Sequence, residues 1–373
     1  MAAPIVTPGN TLRMRSNHHD AGRAAAWAPP KADAAPDPAL ADALPDPAGE
    51  GARVEPRART VSEPRHHPPD DSLAGTQARP PSTLFRDAAA GAGRWESPSG
   101  YARDFLHNRF VYVVVSPRAH GLSVGINMNP DKQCNLDCVY CEVNRLAPAR
   151  ERHLDVAVMV RELQHLLAMA VDGRLQTVPA LRAMPAELVR LRHVALSGDG
   201  EPTLCPNFHE AVQGVMHVRA LGDLPFFKVV LVSNATGLDR PDVQRGLHAL
   251  TPQDEVWLKL DGGTRAYFDR INRPQVPLEK VLANILLVGR QRPVIIQSLF
   301  PRLGDEEPPE EEIQAYVGRL RELKEAGAQI SLVQIYSAMR PTMLPECGHL
   351  PLKVLSRIAH AVRADTGLRA EVF

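Results

Sequence analysis

From Gly121 to the end of the chain one pattern repeats: a short apolar run, then a longer stretch with helical periodicity. The runs are Gly121–Met128, His193–Ser197, Lys228–Ser233, Glu255–Asp261, Pro293–Phe300 and Gln329–Tyr336. Most are rich in Val, Ile and Leu with little polar alternation, as in strands covered on both faces. The stretches between them read as helices. Asp155–Val171 puts Val156, Val160, Leu163, Leu167 and Ala170 on one face and stops at Gly173. Pro308–Ala326 opens on glutamates, repeats Ile313, Tyr316, Leu320 and Leu323, and ends at Gly327, start and stop signals matched to the helix dipole. Pro351–Thr366 carries Leu352, Leu355, Ile358, Ala359 and Val362. Six strand–helix units predict an α/β fold with a parallel sheet and right-handed crossovers. Six are too few for a closed eight-stranded barrel, leaving an open partial barrel or a doubly wound sheet. Either one binds ligands in the loops at the C-terminal ends of the strands.

The first hundred residues are built differently. They hold 15 of the 34 prolines and 22 alanines, with no apolar face to set against the entropy of ordering. The expected division is a disordered Ala/Pro-rich extension over 1–100 and one folded domain over 101–373. With 44% hydrophobic residues, the chain has ample material for a core and needs no disulfide framework. Lys plus Arg number 43 and Asp plus Glu 43, a balance that argues against binding nucleic acid mainly through charge. No run reaches the length of a membrane span, and the N-terminus lacks a signal-peptide pattern. The expectation is a soluble cytoplasmic protein with no membrane partner.

Three of the five cysteines fall within eight residues, directly after the first predicted strand: Asn129-Pro-Asp-Lys-Gln-Cys134-Asn-Leu-Asp-Cys138-Val-Tyr-Cys141-Glu. Three thiolates from one loop can cap three irons of a cubane cluster and leave the fourth open to another ligand. A zinc site lacking an obvious fourth ligand, or three unrelated cysteines, are the plainer readings. After the second strand comes Ser197-Gly-Asp-Gly-Glu-Pro-Thr-Leu204, where the glycines admit close backbone approach and Glu201 offers an acceptor for an ammonium. An ordinary Gly-rich turn is the alternative there.

The C-x3-C-x2-C spacing with Tyr140 before the third cysteine resembles that of the radical S-adenosylmethionine (SAM) enzymes. Asn127–Arg145, Gly198–Leu204, Val232–Asn234, Lys259–Gly262 and Ile271–Pro274 together are similar to the wyosine-synthase-like group of that superfamily. The resemblance implies an open partial (β/α)6 TIM-like barrel, a 4Fe-4S cluster on Cys134, Cys138 and Cys141, and SAM chelating the free iron. It also implies reductive cleavage of SAM to methionine and a 5′-deoxyadenosyl radical that takes hydrogen from a substrate. By the same resemblance Tyr140 contacts the adenine region, and Gly198, Asp199, Gly200, Glu201 and Pro202 form a Gly-Gly-Glu-type site for the SAM amino group. The first pair here reads Gly-Asp in place of Gly-Gly. Ser233 and Asn234 at the third strand end fall where related enzymes hold the methionine end or ribose of SAM.

On the fourth strand, Val256, Leu258 and Leu260 share one face and Trp257, Lys259 and Asp261 the other. The aliphatic set is expected under the outer helices. That leaves Lys259 and Asp261 inside the barrel near its top, for SAM ribose or carboxylate contacts or as a structural pair. Gln297 and Gln334 interrupt apolar strands and need partners, either a ligand or the protein itself. Arg273 is read as an anion partner or a solvated arginine. Cys205 and Cys347 read as buried structural cysteines. The implied partners are an electron donor of flavodoxin or ferredoxin type and a substrate, with a tRNA nucleoside among the candidates. No second cysteine cluster precedes Cys134 and no basic C-terminal extension follows the barrel, which weighs against a strongly RNA-binding member. A radical activase or maturation factor acting on a partner protein is the second reading, and a non-catalytic iron–sulfur module the third.

Overall fold

The computed structural model describes residues 105–146, 148–340 and 342–373. The extension expected over 1–100 lies outside the described residues. The described residues form ten strands: β1 (Val111–Ser116), β2 (Gly121–Asn127), β3 (Leu191–Ser197), β4 (Lys228–Ser233), β5 (Glu255–Lys259), β6 (Val294–Leu299), β7 (Arg302–Leu303), β8 (Ile330–Tyr336), β9 (Cys347–Gly348) and β10 (Ala370–Val372). Eight of them make one sheet in the order β1-β2-β3-β4-β5-β6-β8-β10, while β7 and β9 pair as a separate antiparallel ribbon. β1 runs antiparallel to β2, and every later pairing in the large sheet is parallel. Among the described residues no ladder joins β1 to β10, so the sheet stays open along that seam. The six predicted strands are β2 to β6 and β8. The partial barrel is therefore wider than six strands, extended by a hairpin partner at one edge and a short parallel strand at the other.

The helices are α1 (Val156–Val171), α2 (Pro179–Arg182), α3 (Ala186–Val189), α4 (Phe208–Ala220), α5 (Pro241–His248), α6 (Arg265–Asn272), α7 (Leu278–Gln291), α8 (Glu310–Glu325) and α9 (Leu352–Thr366). At least one helix lies in each connection between successive parallel strands of the sheet, as the crossover geometry requires. Local chemistry sets their ends: Asp155 accepts from the Val158 amide at 3.0 Å ahead of α1, and Thr264 accepts from Tyr267 at 3.1 Å ahead of α6. Two predicted faces shift. α1 buries Met159, Leu163, Leu166, Leu167 and Met169, leaving Val156, Val160 and Ala170 only half-buried. Leu352, assigned to the apolar face of α9, is 66% exposed because it sits in the first turn, ahead of the residues that touch the sheet.

The lumen has an apolar floor and a polar layer above it. Val230, Trp257 and Ile295 pack there with Val232 and Leu332, and His193 meets the Trp257 ring edge-on at 5.4 Å between centroids. Two residues up the same faces, Lys259, Gln297 and Gln334 are register partners across β5, β6 and β8. On the opposite face of β5, Val256 and Leu258 are fully buried, as the alternation predicted.

Candidate active site

The cysteine segment leaves the end of β2 and is clamped by the loops that follow four other strands. Met128 donates its amide to the Ser197 carbonyl at 2.8 Å, and the Asn127 side chain holds Asp199 by two hydrogen bonds of 2.8 and 3.0 Å. The Glu201 amide donates to the Gln133 carbonyl at 2.9 Å. After β4, Asn234 and Thr236 both donate to Asn135 Oδ1, at 3.1 and 3.0 Å. After β5, the Asn272 and Ile271 carbonyls accept from Asp137 and Val139, both at 2.9 Å. After β8, Met343 donates to the Cys141 carbonyl at 3.0 Å.

Gly198 and Gly200 serve this clamp. Gly198 has φ +137°, and a Cβ there would stand 2.3 Å from Asn127 Oδ1. A Cβ on Gly200 would stand 1.9 Å from the Gln133 carbonyl oxygen. Both glycines therefore let one loop lie against another, where the sequence reading gave that closeness to a ligand. Pro202 opens the short turn Pro202–Leu204 behind them.

Glu201, expected to accept the SAM ammonium, is engaged within the protein in a similar way. Its carboxylate is 2% exposed and already accepts four hydrogen bonds. Oε1 takes the Thr203 amide at 3.0 Å, the Thr203 hydroxyl at 2.7 Å and the Ser233 hydroxyl at 2.6 Å, and Oε2 takes the Asn234 amide at 2.7 Å. Burial pushes this carboxyl up, and the four donors work against that rise. The side chain is a brace between the β3 and β4 ends, and it fixes Ser233 and Asn234.

Cys134, Cys138 and Cys141 are free and half-buried. Side-chain donors stand beside their sulfurs: Asn234 Nδ2 at 3.7 Å from Cys134, and Asn272 Nδ2 at 3.4 Å from Cys138. The Arg145 guanidinium lies close enough to Cys134 and Cys141 to feel the charge of both. Burial raises all three thiols, Cys138 to about 12 with Asp261 adding to the rise. Among the described residues no three His, Cys, Asp or Glu side chains converge closely enough to hold a metal ion, so the thiols share a loop without sharing a point. The donor set nonetheless fits an iron–sulfur cluster: three sulfurs on one loop, with amide and guanidinium N–H groups beside them.

Beside Cys138 the lumen holds one connected polar network. Tyr140 donates its hydroxyl to Asp261 Oδ2, which also accepts from Asn272 Nδ2 at 2.8 Å. Asp261 Oδ1 accepts from the Leu299 amide at 2.8 Å and pairs with Lys259 Nζ at 3.1 Å. Lys259 also donates to Tyr336 Oη at 2.9 Å and lies over the Tyr140 ring, 4.8 Å from its centroid. Burial opposes the Lys259 charge, but Asp261 and Tyr336 outweigh it and hold the ammonium on. Burial, and then the Asp261 charge, push Tyr140 well above the usual tyrosine range, so it stays a donor. Lys259 and Asp261, read mainly as SAM contacts with a structural pair as the alternative, are paired with each other here, with Tyr140 joined to them.

Asn272 was missed as a site residue. It is 1% exposed, its amide faces Cys138, Tyr140 and Asp261 together, and its Oδ1 has no hydrogen-bond partner. Asn129, also 1% exposed beside Gly200, has both side-chain polar atoms unpartnered. Of the remaining candidates, Gln297 donates through Nε2 to Gln334 Oε1 at 2.7 Å, so each amide has a partner within the protein. Arg273 pairs loosely with Asp137 at 3.7 Å. Cys205 and Cys347 are buried, as expected, and Cys205 donates to Asn207 at 3.2 Å.

The model of the radical SAM superfamily matches residues 128–317, half of the chain, including the three clustered cysteines, Glu201, Lys259, Asp261 and Asn272. The chain belongs to the radical SAM superfamily. Its members are enzymes that work with SAM and an iron–sulfur cluster. Relatives include a UPF0026 protein of Synechocystis, 30% identical over 181 residues, which are 47% of this chain and 57% of that protein. A UPF0026 protein of Helicobacter pylori is 28% identical over 47% of this chain and 50% of its own length. The S-adenosyl-L-methionine-dependent tRNA 4-demethylwyosine synthase of Saccharomyces cerevisiae is 22% identical over 48% of this chain and 20% of its own. The chain spans about half the length of the UPF0026 relatives it matches. Among solved structures, Streptococcus suis SuiB bound to S-adenosylmethionine is similar at TM-score 0.46 and 14% identity, covering 66% of this chain and 49% of that one.

Proposed function

We propose that this radical SAM enzyme holds a 4Fe-4S cluster on Cys134, Cys138 and Cys141, with SAM beside it in the mouth of the barrel. The observation that carries the reading is the cysteine loop itself, clamped by four strand-end loops with N–H donors at its sulfurs. When bound and reduced by an external donor, the cluster would supply the one electron that cleaves SAM to methionine and a 5′-deoxyadenosyl radical able to abstract hydrogen from a substrate. Asn234, Asn272 and Arg145 place donors on the cysteine sulfurs. The Gly198–Pro202 backbone, held by Asn127 and Gln133, lines the site for the SAM amino group, with Asp199 fixed at its edge. Glu201 keeps Ser233 and Asn234 in place, and Tyr140, Lys259 and Asp261 present a pre-set polar wall to the nucleoside end. The apolar floor around Trp257 keeps water from entering from below.

The substrate class divides two readings. A tRNA nucleoside follows from the likeness to the yeast synthase. A partner protein is favoured by the exposed apolar side chains flanking the cysteine loop: Leu146 is 94% exposed, Met339 68% and Met343 48%. Modified nucleosides in tRNA from wild-type and deletion strains separate the two, since an unchanged profile leaves the protein reading. A flavodoxin or ferredoxin type of donor would supply the electron. No described helix is long and apolar enough to cross a membrane, and the proposed site of action is the cytoplasm. Anaerobic reconstitution tests the cluster. The wild type should take up roughly four irons per chain, and a Cys134/Cys138/Cys141→Ala variant essentially none. Equal uptake by both would refute the assignment.

A further inference from the structure

Asn272 is the last residue of α6, and the turn that carries it is fastened to the cysteine loop on both sides of Cys138. Carbonyls in the last turn of a helix have no partner within it. Here the loop uses two of them. The Asn272 carbonyl accepts from the Asp137 amide and the Ile271 carbonyl from the Val139 amide, both at 2.9 Å. Just beyond, the Gln275 amide donates to the Asn135 carbonyl at 3.0 Å. Cys138 is therefore held beside the Asn272 side chain by backbone bonds that do not depend on how its thiol is turned. The amide itself has one workable orientation. Its Nδ2 faces Asp261 Oδ2 at 2.8 Å, the Tyr140 hydroxyl oxygen at 3.2 Å and Cys138 Sγ at 3.4 Å. All three are acceptors toward it, since Tyr140 gives its own proton to Asp261. Turning the amide over would set Oδ1 against a carboxylate and a sulfur. Oδ1 instead stays buried without a hydrogen-bond partner, a cost the arrangement carries while the donor face is kept inward.

We propose that Asn272 is a positioning residue for the electron-transfer step: its N–H, held on Cys138 by the α6 turn, raises the reduction potential of the cluster. The inference rests on the cluster of the proposed function. In that step the cluster takes one electron from a flavodoxin or ferredoxin type of donor. No bond is made or broken, and the amide proton stays on Asn272. Added negative charge is unfavourable close to a buried carboxylate, and Asp261 is buried in contact with the same amide. A hydrogen bond donated to a thiolate sulfur strengthens as that sulfur gains negative charge, so it favours the reduced form. Lys259 offsets Asp261 from its other oxygen, at 3.1 Å. Asn272 acts on the carboxylate and the sulfur together. Asn234 stands further from its sulfur, 3.7 Å from Cys134, so the larger effect belongs to Asn272.

A redox titration of the reconstituted protein with dithionite and mediators, followed by electron paramagnetic resonance, reads the midpoint potential. Asn272→Leu keeps much of the volume and loses the N–H. Its cluster should be about tenfold harder to reduce, a midpoint about 59 mV below wild type for one electron. Iron content measured on the same samples separates this from poor assembly, since a purely structural role lowers loading and leaves the midpoint of the loaded cluster in place. Asn272→Ala serves if the leucine variant does not load, and its midpoint should fall in the same direction. A loaded variant with the wild-type midpoint, or a higher one, would overturn the inference and leave the proposed cluster standing. Loss of loading in both variants would make Asn272 structural and overturn it as well. A wild type that takes up no iron would overturn the proposed function, and this inference with it.

Discussion

Glu201→Gln separates a brace from a ligand. Glu201 accepts two backbone amides, one on each oxygen, together with two hydroxyls. A glutamine keeps only one oxygen. With its NH2 in place of Oε2 it opposes the Asn234 amide, and with the amide flipped it opposes the Thr203 amide, so either orientation strands one buried backbone N–H. An orphaned buried donor costs roughly 1–3 kcal/mol, and the loss of charge assistance in the bonds that remain adds about 1 kcal/mol. Burial penalises the carboxylate, so removing its charge returns part of this. The net is about 2 kcal/mol, or ~4–8 °C in Tm for a domain of this size. Thermal denaturation of the cluster-free chain gives the first number, and SAM titration of the reconstituted enzyme the second. A Tm within ~1 °C of wild type, together with a loss of SAM affinity greater than about tenfold, would refute the brace and restore the carboxylate as an ammonium acceptor.

Gly200→Ala should leave the barrel folded but displace the cysteine loop, because its Cβ meets the Gln133 carbonyl. Iron content after reconstitution should fall to less than about half that of wild type, and full iron loading would contradict the packing. Asn272→Asp should destabilise more than Asn272→Ala, by about 2 kcal/mol in urea denaturation, since it sets a second carboxylate against Asp261. Equal losses would show that Asn272 does not face that group. Burial lowers His193 from 6.5 to about 3, with Lys228 adding to the shift, so the folded chain keeps it neutral where the unfolded chain binds a proton. Its contribution is present above pH 6.5 and is lost as pH falls, by about 1.4 kcal/mol per unit, or roughly 2 kcal/mol between pH 6.5 and 5. His193→Phe should flatten that slope in denaturation curves, and an unchanged slope would assign it to other groups.

The parallel strands were legible because burial on both faces writes itself as apolar runs, and each of the six runs ends within two residues of an observed strand. β1 was missed although Val111–Val115 is as apolar as any of them, because the repeat of strand and helix begins only after it. β10 is three residues long, too short for any period to show. The cysteine loop was legible from spacing alone. Its supports were not. Asn272 lies 11 residues from Asp261, 132 from Tyr140 and 134 from Cys138, and nothing local marks a polar residue at a helix end as the point where they meet. The internal use of Glu201 was hidden for the same reason, since two of its donors come from residues 32 and 33 positions downstream.

The central claim is that three cysteines on one clamped loop make this chain a SAM-cleaving enzyme. Anaerobic reconstitution with iron and sulfide, followed by dithionite and SAM, reads it directly through the 5′-deoxyadenosine released. Wild-type protein should release it and Cys138→Ala should not. No product from a cluster-loaded wild type, or undiminished product from Cys138→Ala, would contradict the account.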